Sequence, residues 1–565
     1  MKETTMSDGP VVLGVNRTQD ASICLMHGSR LQWAIQKERL TRHKHHWGRQ
    51  GDFRSVYLPR LAGLERPLDV LVECYSSDPE IGKLAAYERE LAETLTLAPG
   101  CRRARLSHHL AHVYSAFHPS PFDEAAVMII DGQGSAVADF TEQWSGAAAV
   151  PGDWREVSSF YRADRERIEC IGKQLWDCND QRLVGLGMFY FLLTQAIFPG
   201  EGNEGKVMGL APHGDPAALG LPPLEVDGAR VSIPARWRDI VRERARFRYA
   251  GTVDARFPDI ANLAAAGQRA FEDALLEVAR WLHARTGADR LCFAGGTGLN
   301  CSANDRLLRE TPFRDVFIPP APSDAGTALG CALYGLAVLA GARCDFRWHS
   351  DYLGPEPRLA DIEAALADAP DLLVERIDSP AGMCDRVADL LCAGRVVALF
   401  QGRSEFGPRA LGHRSILADP RPDAVRDWIN ARVKQREWFR PLAPVVLLER
   451  AEAFFDIRRP SPFMQYAAPV SPGGATPIPA VTHVDCTARL QTVGFDDDPF
   501  LRALLLAFEA RTGVPVLLNT SFNRKEEPIV ETPAEALAAF RATPMHALAM
   551  PPYLVRKRAL PDALA

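Results

Sequence analysis

Short apolar runs and polar bends alternate through the first part of this chain. In VVLGVNRTQDASICLMHGSRLQWAIQKERLTRHKHH, residues 11–46, the runs are broken by a polar bend at 16–20 and a turn at 27–29. That pattern predicts three strands joined as hairpins. AAVMIIDGQGSAVADF (125–140) reads the same way, strand–turn–strand around Asp131 to Gly134, and DRLCFAGGTGLNCSAN (289–304) runs from a strand through a glycine-rich turn into a helix. Helical spacing predicts helices over 188–198, 264–286 and 326–340. Strands alternating with helices indicate an α/β fold. Two Asp-bearing hairpin units and a later strand–Gly-Gly–helix unit suggest a pseudo-duplicated one that closes on a nucleotide.

Around 344–357 periodicity stops in RWHSDYLGPEPR, which sets a boundary near residue 350. Beyond it the pattern predicts helices at 361–367 and 380–393, a buried strand RVVALF, a surface loop SPGGATPIPAV (471–481), a helix at 533–542 and a last strand, HALAMPPYLVRK. The expected organisation is two α/β domains, 1–350 and 351–565.

Composition changes this picture little. The 565 residues are 47% hydrophobic and 24% charged, an ordinary globular profile that excludes global disorder. The net charge of −6 leaves no overall footprint for nucleic acid. Twelve cysteines include no CxxC, so paired zinc or redox spacing is absent and reduced structural thiols are expected. The stretch MKETTMSDGPVVLG has no apolar h-region, so no secretory signal is expected, and the Ala/Gly-rich stretch 325–342 suits a helix packed closely on a sheet better than a membrane span. A cytoplasmic protein without a membrane partner is expected.

Chemistry concentrates at a few places. SHHLAHVYSAF puts His108 and His112 four residues apart, on one face if helical, while His109 faces elsewhere. Leu110 and Ala111 stand where a zinc peptidase needs its glutamate, so that reading fails. Asp131 ends an apolar strand, and Asp324 precedes a helix. Two imidazoles and two carboxylates form a mixed N/O set suited to iron(II), manganese or zinc; the alternative is a plain surface or core histidine pair. AGGTGLN, with Gly295, Gly296 and Asn300, and GNEGKVMGLAPHG, with Lys206, offer close backbone approach to a phosphate, or are simple tight turns. Residues 401–440 hold nine Lys/Arg against five Asp/Glu, set among glycines, prolines and aromatics. Arg403, Arg409, Arg414, Lys434 and Arg440 there suit polyanionic substrates.

HHLAH, DGQG, GNEGKVMGLAPHG, AGGTGLN, SDAGTALG, FGPRALGHRSILADPR, VKQREWFRPLAP and LNTSFNRKEEPI occur in this order. Together they resemble the NodU/CmcH carbamoyltransferase family, its antibiotic O-carbamoyltransferases most of all, over essentially the whole chain. The resemblance implies an N-terminal actin/sugar-kinase-like (TsaD-like) domain and a C-terminal YrdC-like domain. It implies that the second makes carbamoyl adenylate from carbamoyl phosphate and Mg-ATP, and that the first transfers the carbamoyl group to a hydroxyl of a small natural-product acceptor. His108, His112, Asp131 and Asp324 would hold the divalent ion, most simply iron(II). Lys206, Gly295, Gly296 and Asn300 would handle nucleotide. Arg403, Arg489, Asn519 and Asn523 would bind the anionic substrates beside catalytic Lys434, Arg440, Arg409 and Arg414. A threonylcarbamoyl-type tRNA modifier is the alternative enzyme, disfavoured by a pI near 6.2. A hydrogenase-maturation carbamoyl donor would need paired CxxC motifs, and a non-catalytic nucleotide-binding protein would not need the full ligand set. One departure stands out. Where the family commonly has a histidine before Asp-Ala-Ser, this chain has Gln19, leaving Asp20, His43 or His45 to handle the acceptor, unless KERLTRHKHH is only a basic solvated edge. Acceptor specificity is expected in the loops 143–181 and 212–259.

Overall fold

The computed structural model describes residues 9–74, 84–144, 149–179, 182–475 and 477–558. The chain forms two compact units, Met1–Trp348 and His349–Ala565.

The first unit is built from one topology used twice. Strands β1 (Val11–Asn16), β2 (Ser22–His27), β3 (Arg30–Gln36), β4 (Leu68–Cys74) and β5 (Leu97–Leu106) lie in the order β3-β2-β1-β4-β5. β1–β2 and β2–β3 are antiparallel, and β1–β4 and β4–β5 are parallel. Strands β6 (Glu124–Ile130), β7 (Arg155–Asp164), β8 (Ile168–Trp176), β9 (Arg290–Ala294) and β10 (Asp315–Phe317) repeat that order as β10-β9-β6-β7-β8, with the same pairing senses. The duplicated α/β architecture that the two hairpin units suggested is thus present.

Leu13 and Val15 of β1 face an apolar cluster with Trp33 and Phe53. The opposite face of β1 is covered by a helix at Thr327–Tyr334. A Cβ on Gly14 would sit 2.1 Å from Ala328 O, so only glycine permits this approach. The Ala/Gly-rich stretch is therefore a buried helix on a sheet, and no helix among the described residues is long and apolar enough to cross a membrane. The helix His108–Phe117 packs against β6, β7 and β9, and touches Thr327–Tyr334 where Gly330 meets Ala111 O. These two helices form the layer between the sheets.

The main sheet of the second unit has eight strands among the described residues: β11 (Leu372–Arg376), β12 (Val397–Phe400), β13 (Arg414–Ala418), β14 (Ala443–Leu447), β15 (Gln491–Val493), β16 (Val516–Ser521), β17 (Ala547–Met550) and β18 (Tyr553–Lys557). Their order is β11-β18-β17-β12-β13-β16-β14-β15. Val397 and Leu399 enter one core and Ala398 and Phe400 another, so the sheet is covered on both faces. Burial on both sides is why RVVALF lacks polar alternation.

Four expectations are corrected. GSAVADF does not return as a strand: Asp131 N and Gly134 N instead bond Val157 O and Glu156 O, so β7 becomes the partner of β6. The expected loop 143–181 holds β7 and β8, with 145–148 and 180–181 outside the described residues. The tract 471–481 is no surface loop in its second half, since Ile478, Ala480 and Val481 are buried. HALAMPPYLVRK is two antiparallel strands, β17 and β18, rather than one.

Candidate metal centre and anion site

Ser107 ends an extended segment, and the helix His108–Phe117 begins beneath β7 and β8. Its first amides are met by polar groups: His108 N donates to Ser135 Oγ (2.9 Å) and His109 N to Glu156 Oε1 (2.9 Å). A carboxylate at a helix N-terminus complements the orphan N–H groups and the dipole. Glu156 is 0% exposed and is held by Lys173 Nζ at 2.7 Å, which also reaches Glu142 (2.8 Å), Ser159 Oγ and Tyr161 OH (each 3.0 Å). Burial pushes Glu156 above the usual carboxylate range even beside Lys173. His109 turns into this network, its Nδ1 2.7 Å from Ser159 Oγ, and is structural.

His108 and His112 turn the other way. Their Nε2 atoms are 3.2 Å apart, and Asp131 Oδ2 lies 3.2 Å from His108 Nε2 and 3.3 Å from His112 Nε2. Asp324 Oδ1 is 3.4 Å from His108 Nε2. One donor atom from each of the four lies within 4.8 Å of all the others. Burial works against charge on His108, but Asp324 and Asp131 outweigh it and hold its pKa well above the ordinary value. The same pairing holds Asp131 well below the carboxylate range against the effect of its burial.

The surrounding groups aim these donors. Asp131 Oδ1 accepts from Gly132 N (2.8 Å) and Gly296 N (3.2 Å), leaving Oδ2 for the centre. Thr18 Oγ1 donates to Asp324 Oδ2 at 2.9 Å. His108 Nδ1 is 3.6 Å from Cys74 Sγ, while His112 Nδ1 is buried without a partner among the described residues. Two Nε2 donors and two oriented carboxylates, almost dry, fit a divalent cation, and outer-shell partners of this kind fix ligand orientation. The structure is thus able to hold a metal ion here.

The other predicted residues of this unit fall elsewhere. Gly295, at φ +95, lies against Ile130 O and donates its N–H to Pro322 O, while Gly296 N donates to the Asp131 carboxylate. Asn300 was expected at a nucleotide. Its side chain pairs with Gln268 (2.9 and 3.1 Å) and caps the helix Cys301–Glu310 by accepting from Ala303 N. Lys206, on the helix Glu204–Leu210, has Nζ 5.8 Å from the Phe198 ring centre. Asp20 pairs with His45 at 2.8 Å. The basic edge is corrected as well: Lys37 and Arg39 are each 1% exposed.

In the second unit several presumed anion ligands are engaged with backbone. Arg414 is buried over the Phe400 ring and donates to the carbonyls of Gln401 and Gly402. Arg403 donates to Gly354 O and Leu353 O. Lys434 Nζ is surrounded by Ser521 O, Ser521 Oγ, Asn523 O and Asn523 Oδ1 at 2.5–3.2 Å. Asn519 Nδ2 donates to Ala410 O and Gln491 Oε1, and Asn523 Nδ2 to Arg524 O and Glu527 O. These hydrogen bonds hold the surrounding loops in shape. Arg409 is half-buried in the connecting loop.

Arg440 and Arg489 are the remaining cations, and Arg436, which composition did not single out, lies within electrostatic reach of both while its Nε donates to Asn430 Oδ1 (2.7 Å) and its Nη2 to Pro441 O (3.2 Å). Burial, then Arg440 and Arg489, pull Arg436 well below the ordinary guanidinium pKa. Burial lowers Arg440 too, and Arg489 adds to the effect against the single opposing Glu437. Crowded guanidiniums with one carboxylate are a ready receptor for an anion.

A family model described as carbamoyltransferase N-terminus matches residues 83–333, and one described as carbamoyltransferase C-terminus matches 388–557. Nodulation protein NolO of Bradyrhizobium diazoefficiens is 37% identical over 469 residues, 80% of this chain and 79% of that protein. Nodulation protein NolNO of Sinorhizobium fredii is 38% identical over 465 residues, 80% of this chain but 64% of the relative's length. An uncharacterized protein of Synechocystis is 32% identical across 98% of this chain and 97% of its own.

Proposed function

The chain belongs to the carbamoyltransferase family, and from that premise we propose that it is an ATP-dependent O-carbamoyltransferase acting on a hydroxyl of a small-molecule acceptor. The His349–Ala565 unit, read as YrdC-like, makes carbamoyl adenylate from carbamoyl phosphate and ATP. Arg436, Arg440 and Arg489 bind phosphoryl oxygens and stabilise the negative charge that grows during adenylation. Lys434 and Asn523 hold the loop Ser521–Asn523 in shape, and Arg414 holds Gln401–Gly402, so these act on substrate through backbone.

The Met1–Trp348 unit, read as TsaD-like, performs the transfer. His108, His112, Asp131 and Asp324 would hold iron(II) or a similar ion, which supplies Lewis-acid polarisation and a seat for the adenylate's phosphate when bound. The chain's own part is orientation: Gly132 and Gly296 fix Asp131, Thr18 fixes Asp324, and near-complete burial excludes water from the two imidazoles. The observation that carries the reading is the convergence of those four side chains from three separate segments in a carbamoyltransferase-family chain.

The test is a divided assay with carbamoyl phosphate, ATP and a panel of hydroxylated acceptors. Pyrophosphate and phosphate report adenylate formation, and AMP together with a mass gain of one carbamoyl group on the acceptor reports transfer. Arg440→Ala should abolish the first step, while His108→Ala should spare it and block the second. Loss of the same half-reaction in both variants would refute the two-site assignment.

A further inference from the structure

The bend 16–20 is stitched to the metal-ligand loop. Asn16 Nδ2 donates to Asp324 O (3.0 Å) and to Asp20 O (3.2 Å), Thr18 Oγ1 donates to Asp324 Oδ2, and Ser22 Oγ donates to Ala325 O (2.7 Å). Asp20 therefore has a fixed place beside the centre, one amide away from the backbone of Asp324. It occupies the left-handed region at φ +51, and its partner His45 does so at φ +52. Left-handed backbone at non-glycine residues costs free energy and persists where surrounding structure enforces it.

Three elements enforce the pair. His45 Nδ1 donates to Asp20 Oδ1 at 2.8 Å, and His45 N donates to Glu38 Oε2 at 3.0 Å. Gly202, at φ +71, lies flat against the imidazole, where a Cβ would sit 2.1 Å from Nε2. The hydrogen bond to Asp20 raises His45 to about 9, Glu38 adding to it against burial and Lys44, and Glu204 lies within electrostatic reach of the ring. Gly202 thus stands close to Nε2, and Nδ1 is the ring nitrogen that faces Asp20. The carboxylates of Asp20 and Glu38 with His45 could also suggest a cation site, but Glu38 is already engaged by His45 N and lies 3.8 Å from Arg39. Asp20 Oδ2, by contrast, has no protein partner among the described residues.

We propose that Asp20 Oδ2 takes the proton of the acceptor hydroxyl during carbamoyl transfer, with His45 as the positioning residue that aims it. This rests on the carbamoyl-adenylate reading above. As the acceptor oxygen bonds to the carbamoyl carbon, the bond from that carbon to the phosphate oxygen breaks and its electron pair leaves with AMP. The hydroxyl proton passes to Asp20 and then to solvent. The pair thereby fills the place left by Gln19, and the backbone of Gly202 sets its geometry.

The experiment follows enzyme-formed carbamoyl adenylate as it is consumed by three probes: molar ethylene glycol, water alone, and hydroxylamine. The two hydroxyl nucleophiles need a proton removed, whereas neutral hydroxylamine attacks without a base. Asp20→Asn should slow consumption by glycol and water by about a hundredfold or more, the usual range for a lost general base, and leave the hydroxylamine rate unchanged. His45→Ala should behave alike, and His45→Asn, which keeps a donor near Nδ1, should restore most of the rate. Equal consumption by wild type and Asp20→Asn, or an equal loss with all three probes, would overturn the proposal. Absence of adenylate in wild-type protein would instead overturn the reading beneath it.

Discussion

Lys173→Met isolates the buried charge network beneath the histidine helix. The ammonium is 0% exposed and makes contacts of 2.7–3.0 Å with Glu156, Glu142, Ser159 and Tyr161. Methionine fills a similar volume, so the loss is electrostatic: Glu156, itself 0% exposed, keeps only its amide donors His109 N and Ser135 N. Breaking a buried ion pair from one side costs about 3–5 kcal/mol. With a guanidinium m-value of about 4 kcal/mol per molar, the unfolding midpoint should fall by roughly 1 M. Eight of the ten tryptophans precede residue 349, so intrinsic fluorescence follows the first unit. Burial already raises Glu156, and without Lys173 it is raised further and becomes neutral in the folded state. A neutralised buried carboxyl loses stability as pH rises, so the penalty should be smaller near pH 5 than near pH 8. Adding Glu156→Gln should recover at least about 1 kcal/mol of the loss. A single-variant loss below about 1 kcal/mol, independent of pH, would refute the view that Lys173 holds a charged pair under the helix.

Cys74→Ala removes the sulfur facing His108 Nδ1 and should weaken divalent-ion binding by about tenfold or more, read by cobalt(II) absorbance titration of apoprotein, with the fold intact. His45 has a folded pKa of about 9 against an ordinary 6.5. Its contribution to stability should be complete below pH 6.5 and fade as pH climbs through 9. Melting temperatures from pH 6 to 10 should show this slope in wild type and a flatter one in Asp20→Asn.

The elements legible in the sequence are those whose signal is local. The three strands 11–36, the strand before Asp131 and the helix carrying His108 and His112 each declare themselves within ten residues or so by apolar runs and turn residues. β7 and β8 do not, because their buried faces carry Ser158, Ser159 and Lys173 in place of apolar side chains. Such positions read as surface until the partner Glu156 is known to lie underneath. Charge shows the same limit in the second unit. Composition located the arginine-rich stretch, but Arg414 and Arg440 look alike until the carbonyls of Gln401 and Gly402 claim one of them. Arg436 was missed for the converse reason, since its role follows from Arg440 and Arg489 lying beside it. Asp20 and His45, 25 residues apart, are joined only by the folded turn.

The helix pair between the two sheets has a mechanical consequence. His108 and His112 ride on the helix packed against one sheet, Asp131 leaves the central strand of that same sheet, and Asp324 opens into the helix packed against the other. Where the helices meet, Gly330 lies against Ala111 O, and the Tyr114 and Tyr334 rings pack edge to face with 5.1 Å between centroids. A cation gripped by all four donors would act as a rivet across that contact. Its occupancy would tie the two sheets of the first unit together, so that metal loading would add directly to the stability of that unit.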